Sequence, residues 1–394
     1  MTKQSNASHP RVIGFATQGA GGDDEQRLRS LLSQIPDAEL YAFDKGSKLS
    51  NTRRLIRLML EERPDLVVME GTGIAGGLAL LIGSLLSKVP YVVSSGDAVG
   101  PFVAGQYPIL GPLFTMYERL LYRRALGFIG WTPYLAGRAL TYGTPFSMTA
   151  AGWAPFAFTE EERQAARSRI RSRYGIPEHH IVVGIVGSLS WNRRVGYCYG
   201  FELVKAMRQL QRQDVTVLIV GDGSGRSRLQ ELAAGHPGII LTGRVPREQV
   251  AAYLSAMDLA SLPQSVDQVG SFRYTTKVSE YWAAQLPIVT GKIPMAYDLG
   301  QDWMIRLNGA RPWEDTYIHD MRGLLEQLTD EHIQAWKARV PAYVSVFDQE
   351  RQIRNVTEFV YDILEEAQST SSKQEGRREV WTAATRKAAS ESNG

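Results

Sequence analysis

Short apolar segments alternate with helix-length segments over most of this 394-residue chain. Four of the apolar segments precede residue 150, at 11–17, 65–70, 91–95 and 127–130. A strand that returns in parallel to the same sheet needs a crossover of about a dozen residues or more, and a helix normally supplies it. The alternation therefore predicts an α/β fold with an open, doubly wound parallel sheet.

The same alternation starts again in the second half of the chain. After a charged helical segment over 160–174, apolar strands are predicted at 181–186, 215–220, 239–241, 259–262 and 288–290. A chain of this length exceeds one ordinary hydrophobic core, so two domains of about 150 to 200 residues are expected. We predict Rossmann-like domains over 1–158 and 159–350, an amphipathic helix over 351–367 and a disordered tail over 368–394.

The composition excludes several classes of protein. A net charge of +3 is nearly balanced, which argues against a dedicated nucleic-acid binder. Cys198 is the only cysteine, so disulfides within the chain and cysteine-based zinc clusters are excluded. No apolar run reaches the ~18 to 20 residues of a membrane span, and residues 1–9 lack the apolar core of a signal peptide. We therefore expect a cytoplasmic protein.

Residues 261–290 carry the most specific chemical signal. An apolar strand end leads into a polar loop, and the loop leads into a helix that carries Lys277 and Glu280. These two residues are three apart, so they share one helix face near the helix N-terminus, which favours phosphate. A Lys–Glu pair at this spacing is more often a solvated surface pair, so its interpretation depends on the motifs around it.

The stretch Lys-x-x-Glu-Tyr-x-Ala-Ala-x-x-Pro-Ile-Val, which begins at Lys277, resembles the donor-binding segment of GT-B nucleotide-sugar glycosyltransferases, especially family 4. The resemblance spans about residues 10–365. It implies two Rossmann-like domains facing across a cleft, with the helix over 351–367 crossing back to the first domain. It also implies that Glu280 holds the nucleotide ribose and that the preceding polar loop holds the donor sugar.

The loop after the strand at 181–186 reads Gly-Ser-Leu-Ser-Trp-Asn-Arg and resembles the family's Gly-Arg-Leu-x-x-x-Lys loop. In the family, the two cations of this loop clamp the donor diphosphate. Arg193 falls on the Lys position, whereas Ser188 replaces the Arg, and Arg194 or Lys277 would have to compensate. Cations beside a leaving diphosphate stabilise the charge that develops on its oxygens. Arg193 and Lys277 are therefore candidate catalytic residues.

Other parts of the donor site follow from the resemblance. Backbone at 243–245 approaches the nucleobase in the family, and the glycine turn after the first strand lets N–H groups approach a phosphate or sugar. The family's second Glu is replaced by Phe272, and Asp267 either takes its place or caps a turn. The implied donor-binding residues are Gly21, Gly22, Gly187, Ser188, Arg193, Gly243, Arg244, Val245, Asp267, Gly270, Ser271, Lys277 and Glu280.

The acceptor side is less well marked. Asp97 ends a strand where many relatives carry His-Asp, but Gly96 occupies the His position. Asp97 is either a third candidate catalytic residue, which orients the acceptor hydroxyl, or a buried turn cap. Glu118 and Trp131 align with a family helix and the strand end after it, both on the acceptor side. No Asp-x-Asp follows a predicted strand, and we expect neither a metal nor a cofactor.

An apolar segment over 102–114 is followed by Arg119, Arg123 and Arg124. Many relatives use a first-domain surface of this kind to meet a lipid acceptor at the membrane. The alternative is a buried crossover helix with solvated arginines. Two expectations therefore stay open. Either the protein makes peripheral contact with the inner face of the membrane and uses a lipid-linked acceptor, or the segment is an ordinary core helix.

The combined prediction is a hexosyltransferase-type enzyme that moves a sugar from a nucleotide-diphosphate donor to a hydroxyl acceptor, with retention and without metal. Retention rests on the resemblance alone. Two alternatives stay open. The departures at Gly96, Ser188 and Phe272 allow a non-catalytic GT-B homologue that binds nucleotide or a partner protein. The glycines at 19–22, with Asp44 after a short strand, allow a nicotinamide-dependent oxidoreductase, although the third glycine of that fingerprint is missing.

Overall fold

The computed structural model describes residues 9–300 and 302–369, so nearly all of the predicted tail lies outside the described residues. The described chain divides into two compact units. The first unit holds the residues up to Gly100, Pro112–Ala151 and those from Gln349 onward. The second unit holds Pro101–Gly111 and Gly152–Asp348. The main boundary between the two units thus lies between Ala151 and Gly152, a few residues before the predicted domain boundary.

Within the described residues, the first unit is built on a parallel sheet of six strands: β1 (Val12–Ala16), β2 (Glu39–Leu40), β3 (Leu66–Glu70), β4 (Tyr91–Ser95), β5 (Gly127–Gly130) and β6 (Phe146–Thr149). The strand order is β2-β1-β3-β4-β5-β6. The helices between the strands are α1 (Asp23–Leu31), α2 (Lys48–Glu61), α3 (Ile74–Ser87), α4 (Val99–Gln106), α5 (Gly111–Arg124) and α6 (Pro133–Thr141). The four central strands are fully buried, which explains their largely apolar sequence.

The second unit repeats the plan with six described strands: β7 (Ile181–Val186), β8 (Val215–Val220), β9 (Ile239–Gly243), β10 (Leu259–Leu262), β11 (Ile288–Gly291) and β12 (Met304–Leu307). Their order is β12-β11-β10-β7-β8-β9, all parallel. This is the doubly wound order, and it reverses direction between β7 and β10. The prediction of an α/β protein with two Rossmann-like domains is confirmed.

The helices of the second unit are α7 (Glu160–Arg173), α8 (Phe201–Met207), α9 (Arg226–Ala233), α10 (Val250–Ser255), α11 (Lys277–Ala283), α12 (Pro294–Asp298), α13 (Asp315–Gln327) and α14 (Asp330–Lys337). A further helical stretch, α15, covers 349–369 and belongs to the first unit. It packs against β5, where a Cβ added to Gly127 would lie 2.9 Å from the Phe359 ring and 3.2 Å from Ile363. The missing side chain at Gly127 therefore lets α15 approach the sheet.

A buried ion cluster joins α7, α14 and the loop before β10. The Arg171 guanidinium, which has no exposed surface, donates to Asp258 Oδ2 at 2.6 Å. The Arg167 guanidinium and the Lys337 ammonium both contact Asp258 Oδ1, at 2.9 and 3.0 Å. Burial raises the pKa of Asp258, but the attraction of Lys337, Arg167 and Arg171 outweighs it, so the net pKa lies below the ordinary value.

Glu202, near the start of α8, is a fully buried carboxyl group. It accepts hydrogen bonds from the Tyr197 hydroxyl at 2.9 Å and from the Ser261 hydroxyl at 3.2 Å. Burial raises the pKa of Glu202 to about 7, despite these hydrogen bonds. Compared with the unfolded chain, the folded protein therefore favours the protonated form of Glu202.

Glu202→Gln should change how stability depends on pH. A carboxyl group with a raised folded-state pKa contributes stability that is full below its ordinary pKa and is lost as pH rises through about 7. Glutamine has the same shape and cannot ionise. Relative to the wild type, the variant should therefore gain about 2 kcal/mol of unfolding free energy between pH 5 and pH 8. Urea denaturation at both pH values measures this, and a difference that does not change with pH would contradict it.

Candidate functional site

A cavity of about 570 Å³ opens at the carboxyl ends of β7, β8 and β9. Ligands of doubly wound sheets bind beyond the carboxyl ends of the strands, next to the point where the strand order reverses. The volume falls within the range of small-molecule sites. The sequence-predicted donor residues that line this cavity are Gly187, Ser188, Arg244 and Val245, and the other lining residues are Val186, Val220, Gly221, Asp222, Gly223 and Val250.

Backbone forms the floor of this first cavity, because Gly187 and Gly221 approach each other closely there. Gly221 has a φ of +145°, and a Cβ added to it would lie 1.9 Å from the carbonyl oxygen of Gly187. The Gly187 N–H donates to the Val220 carbonyl at 2.9 Å, and the Gly221 N–H donates to the Gly243 carbonyl at 3.0 Å. A side chain does not fit at Gly221, so a ligand in this cavity meets main chain there.

Lys277 is not itself a lining residue of the first cavity, but its side chain lies against Gly187, which is one. A Cβ added to Gly187 would lie 2.8 Å from Lys277 Cε and 3.2 Å from its Nζ. The ammonium also lies 4.4 Å from the centroid of the Tyr199 ring, a cation–π contact that holds the long side chain in place. The structure therefore brings together Lys277 and Gly187, which are ninety residues apart in the sequence.

Glu280 follows Lys277 by one turn of α11 and is half-buried. Burial raises the pKa of Glu280, while the positive charges of Lys277 and Arg247 oppose that shift. The helix has only seven residues. Its dipole is correspondingly weak, so the prediction that the helix end itself favours phosphate has little support, and Lys277 supplies the positive charge.

The structure does not bring Arg193 to this cavity. Its side chain is exposed on the loop after β7 and lines neither of the two cavities described here. Arg194, the predicted alternative, donates to the carbonyls of Ala104 and Gly105 at 3.0 and 2.6 Å, within the second unit. Ser188 does line the first cavity, and its hydroxyl lies 2.8 Å from that of Ser190.

The polar loop after β10 lines a second cavity, of about 510 Å³. Asp267 and Gly270 are among its lining residues. One Asp267 oxygen accepts the N–H groups of Val269 at 2.8 Å and Gly270 at 2.9 Å, so this carboxylate caps the turn. This is the structural alternative that the sequence left open for Asp267. Ser271 continues the turn by donating its N–H to the Asp267 carbonyl at 3.0 Å.

The predicted residues of the first unit lie on its own sheet edge. The Gly21–Gly22 turn follows β1, Asp97 follows β4 and Trp131 follows β5, all at the carboxyl ends of parallel strands. Gly21 has a φ of +77°, and its N–H donates to Glu25 Oε2 at 2.7 Å. The Gly21 N–H is therefore already paired with a side chain of α1, the helix that follows the turn.

Sequence analysis missed a buried ion pair that supports Trp131. Arg27 donates to Glu70 at 2.5 Å, and the Trp131 indole N–H donates to the other Glu70 oxygen at 2.9 Å. The Arg27 guanidinium also lies 4.3 Å from the centre of the indole ring. A Cβ added to Gly96 would lie 2.9 Å from the same ring. The indole thus occupies the space that a histidine at position 96 would need.

Glu118 is not available to an acceptor. Its side chain has no exposed surface. Its carboxylate accepts two hydrogen bonds from Arg138, at 3.0 and 2.8 Å, and one from the Gly100 N–H at 3.2 Å. The pair joins α5 to α6, so Glu118 has a structural role, and its place on the acceptor side stays a prediction. The alignment with a family helix could not reveal this, because Arg138 lies twenty residues further along the chain.

Comparisons with known proteins agree with this architecture. A cavity beyond the carboxyl ends of the strands in a Rossmann-like unit is a typical place for a nucleotide ligand. The family described as "Glycosyl transferases group 1" matches residues 180–309, and "Glycosyl transferase 4-like domain" matches residues 7–151. The chain therefore belongs to the group 1, family 4-like glycosyltransferases.

Individual relatives are distant. The chain is 28% identical over 234 residues to 2-deoxystreptamine glucosyltransferase of Streptomyces kanamyceticus, a match that covers 55% of this chain and 59% of that protein. The structure of Anabaena Alr3699/HepE in complex with UDP-glucose has a TM-score of 0.66 at 15% identity and covers 90% of this chain and 100% of its own. Sucrose-phosphate synthase of Thermosynechococcus elongatus has a TM-score of 0.65 at 11% identity, with coverages of 90% and 100%.

Proposed function

We propose that this protein is a glycosyltransferase that moves a hexosyl group from a nucleotide-diphosphate sugar to a hydroxyl acceptor. The first cavity carries the proposal, because it has a backbone floor at Gly187 and the side chain of Lys277, one turn before Glu280 on α11, lies against that glycine. Membership of the family supports it. The glucosyltransferase relative and the relative solved with UDP-glucose favour a hexose donor linked to UDP.

Each part of the donor has a proposed partner. The base lies against Arg244 and Val245, which line the first cavity. The diphosphate lies over Gly187, where Lys277 offers positive charge. The ribose hydroxyls donate to Glu280. A carboxylate that receives two hydroxyl hydrogen bonds is stabilised in its charged form, which offsets the rise in pKa that burial causes.

The proposed mechanism depends on stabilising the leaving group. As the glycosidic bond breaks, negative charge grows on the diphosphate oxygen, and the fixed ammonium of Lys277 lowers the barrier. An acceptor hydroxyl that attacks on the same face as the leaving phosphate gives retention without a protein nucleophile. Among residues 9–300 and 302–369, no group of three His, Cys, Asp or Glu residues is arranged to hold a metal. We propose that cations of the chain neutralise the diphosphate and that no cofactor takes part.

Glu280→Ala tests the donor site. A screen of nucleotide sugars, read by release of nucleoside diphosphate with and without excess chelator, first identifies the donor. Calorimetry should then show the variant binding the corresponding nucleoside diphosphate more weakly by about 1.5 to 3 kcal/mol, the range for hydrogen bonds to charged groups. Glu248→Ala is the matched control, because Glu248 is exposed on the short helix after β9. Unchanged affinity in folded Glu280→Ala would refute the ribose assignment.

A non-catalytic nucleotide-binding homologue is the second candidate. Two observations favour it: Arg193 is exposed away from the cavity, and Phe272 stands where the family has an acid. This candidate predicts binding of nucleoside diphosphate without turnover of any nucleotide sugar in the presence of acceptors. Turnover in the screen would therefore eliminate it.

We also propose that the first unit contacts an anionic membrane and that the acceptor is lipid-linked. The predicted apolar segment over 102–114 does not carry this proposal as a whole, because Pro101–Gly111 belongs to the second unit. The Tyr117 hydroxyl of α5 donates to the carbonyl of Gly73, just before α3, at 3.2 Å. Both helices expose apolar side chains, and α5 also exposes three arginines. We call these residues the α3–α5 surface: Ile74, Leu78, Ile82, Leu85, Leu113, Met116, Leu120, Arg119, Arg123 and Arg124.

The exposure of this surface favours membrane contact over the buried-helix alternative. Contiguous exposed apolar patches are uncommon on monomeric proteins unless they bind something. Basic residues next to apolar ones suit the interface of an anionic bilayer, where a long apolar stretch is not required. No helix among residues 9–300 and 302–369 combines the length and the apolar character that crossing a bilayer requires.

Met116→Glu/Leu120→Glu should abolish binding to anionic vesicles. Each basic residue near such a surface contributes about 1 kcal/mol, so the wild type should bind reversibly and salt should weaken binding. Co-sedimentation with phosphatidylserine vesicles at low and high salt measures this. Leu49→Glu is the control, because Leu49 is an exposed apolar residue on α2 outside the α3–α5 surface. Wild-type protein that stays in the supernatant at low salt would refute the proposal and favour an acceptor that is not bound to lipid.

A further inference from the structure

The residues that line the second cavity carry more positive than negative charge. Those that the structure describes include three arginines, Arg194, Arg273 and Arg311, and one acid, Asp267. Arg311 pairs with Glu314 just outside the lining, at 2.9 Å, and 49% of its side chain is exposed. With that pair set aside, the lining still holds two arginines and one carboxylate. A cavity lined in this way favours an anionic ligand.

Two of these arginines are held by groups that do not cancel their charge. Arg194 Nη1 donates to the carbonyls of Ala104 and Gly105, which are neutral acceptors. The Arg273 guanidinium lies 6.0 Å from the centroid of the Phe102 ring, and Phe102 also lines the cavity. Arg273 is half-buried, so water screens its charge less than that of exposed Arg311. Arg273 is therefore the stronger candidate for contact with an anion.

Gln264, two residues after β10, adds a second requirement on the ligand. Only 6% of the residue is exposed, and neither Nε2 nor Oε1 of its side chain has a hydrogen-bond partner within the described part of the chain. Buried amides are nearly always paired, so an unpaired one needs a reason. Gln264 lines the second cavity. A ligand that accepts from Nε2 and donates to Oε1 would pair both atoms.

The two requirements together select among ligands. A fully ionised phosphate suits the arginines but has no proton to donate to Oε1 of Gln264. A neutral sugar donates to Oε1 but provides no counter-charge for the arginines when it displaces water from the cavity. A hexuronate, which is a hexose oxidised to a carboxylate at its last carbon, meets both requirements. Its carboxylate pairs with a guanidinium, and its ring hydroxyls pair with the amide.

The second cavity also has the size and the walls that a sugar ring needs. Its volume is about 510 Å³, within the range of small-molecule sites. Tyr199 and Trp313 supply aromatic surface. The Trp313 ring lies 5.4 Å from the ring of Tyr197, whose hydroxyl donates to buried Glu202 at 2.9 Å. These contacts keep one wall of the cavity in a fixed position.

We propose that the second cavity selects a hexuronate over a neutral hexose, with Arg273 balancing the carboxylate and Gln264 pairing with the hydroxyls. The proposal rests on the proposed function and deepens it, because it specifies an acidic sugar as a substrate of the transferase. The hexuronate is either the glycosyl group of the nucleotide donor or a sugar of the acceptor. Both sources present the same carboxylate and hydroxyls, so binding experiments must separate them.

Calorimetry on the wild type tests the choice of sugar. The donor arm compares UDP-glucuronate with UDP-glucose, and UDP-galacturonate with UDP-galactose. The acceptor arm compares methyl glucuronide with methyl glucoside on protein saturated with UDP. In one of the two arms, the acidic probe should bind at least ten-fold more tightly than its neutral partner. The arm that shows the preference identifies the source of the hexuronate.

Two variants test the residues. Arg273→Gln keeps a hydrogen-bonding side chain but removes the charge, so it should reduce the acidic preference to less than about three-fold. Gln264→Leu should weaken the preferred acidic probe at least ten-fold and leave UDP affinity unchanged. Its melting temperature should equal or exceed that of the wild type, because it removes an unpaired buried amide. Arg169→Gln on α7 and Gln268→Leu on the polar loop are the matched controls, since both residues are exposed.

Three outcomes would overturn the proposal. Equal affinities for acidic and neutral probes in both arms would show that the cavity does not select a carboxylate. An Arg273→Gln variant that loses UDP affinity as strongly as UDP-glucuronate affinity would assign the arginine to the diphosphate. A lowered melting temperature of Gln264→Leu would give the amide a structural role. Failure of the wild type to bind UDP would instead refute the UDP-linked donor of the proposed function, which distinguishes that failure from the other three.

Discussion

Lys277→Ala is expected to lower kcat by about two orders of magnitude or more. The ammonium is held against the Gly187 backbone by the Tyr199 ring, so it needs no reorganisation when charge develops on the leaving diphosphate. An interaction that strengthens in the transition state affects kcat, whereas one that binds substrate and transition state equally affects only KM. Steady-state kinetics with the identified donor separates the two.

Two further variants sharpen this test. Lys292→Ala removes an exposed lysine whose ammonium contacts Asn308 at 2.7 Å, and it should leave kcat unchanged. Arg193→Ala tests how much Arg193 contributes to kcat. The family motif predicts this cation at the diphosphate, but the structure leaves it exposed. From that position we expect a loss of less than about ten-fold. A Lys277→Ala variant with near wild-type kcat, whether or not its KM is raised, would show that Lys277 does not stabilise the leaving group.

The strands that the sequence predicted best are those buried on both faces. The apolar segments at 91–95, 181–186 and 215–220 coincide with β4, β7 and β8. Both faces of a central parallel strand pack against helices, so most of its residues are apolar and the segment ends where burial ends. The edge strands β6 and β12 were missed because several of their residues are only half-buried and their sequence carries no continuous apolar run.

The first cavity was predictable where it depends on backbone geometry. Gly187, Ser188, Arg244 and Val245 follow strand ends, and parallel strands bring those ends to one edge of the sheet. Their order along the chain was therefore enough to place them together.

Side-chain direction and distant pairing were not predictable. Arg193 occupies a motif position, but the loop conformation turns it to solvent. The pair of Arg27 with Glu70 is separated by 43 residues, and its only sequence signal is an acid at the end of an apolar strand.

The second large effect concerns stability. Asp258→Ala is expected to lower the free energy of unfolding by about 3 to 5 kcal/mol. Removing Asp258 leaves the guanidinium of Arg171 without its carboxylate in a position with no exposed surface, beside Arg167 and Lys337. The three positive charges then repel one another in a medium that screens poorly. The Val182 N–H also loses its acceptor at 2.9 Å.

Asp214→Ala is the matched control for Asp258→Ala. Asp214 also pairs with an arginine at 2.6 Å, but 47% of its side chain is exposed, against 7% for Asp258. Water screens the exposed pair, so the control should cost about 0 to 1 kcal/mol. Urea denaturation of both variants measures the difference, and similar losses would show that burial does not govern the ion cluster. Because the pKa of Asp258 is depressed, its contribution should be present at neutral pH and disappear as acid protonates the carboxylate, so the two variants should converge in stability at low pH.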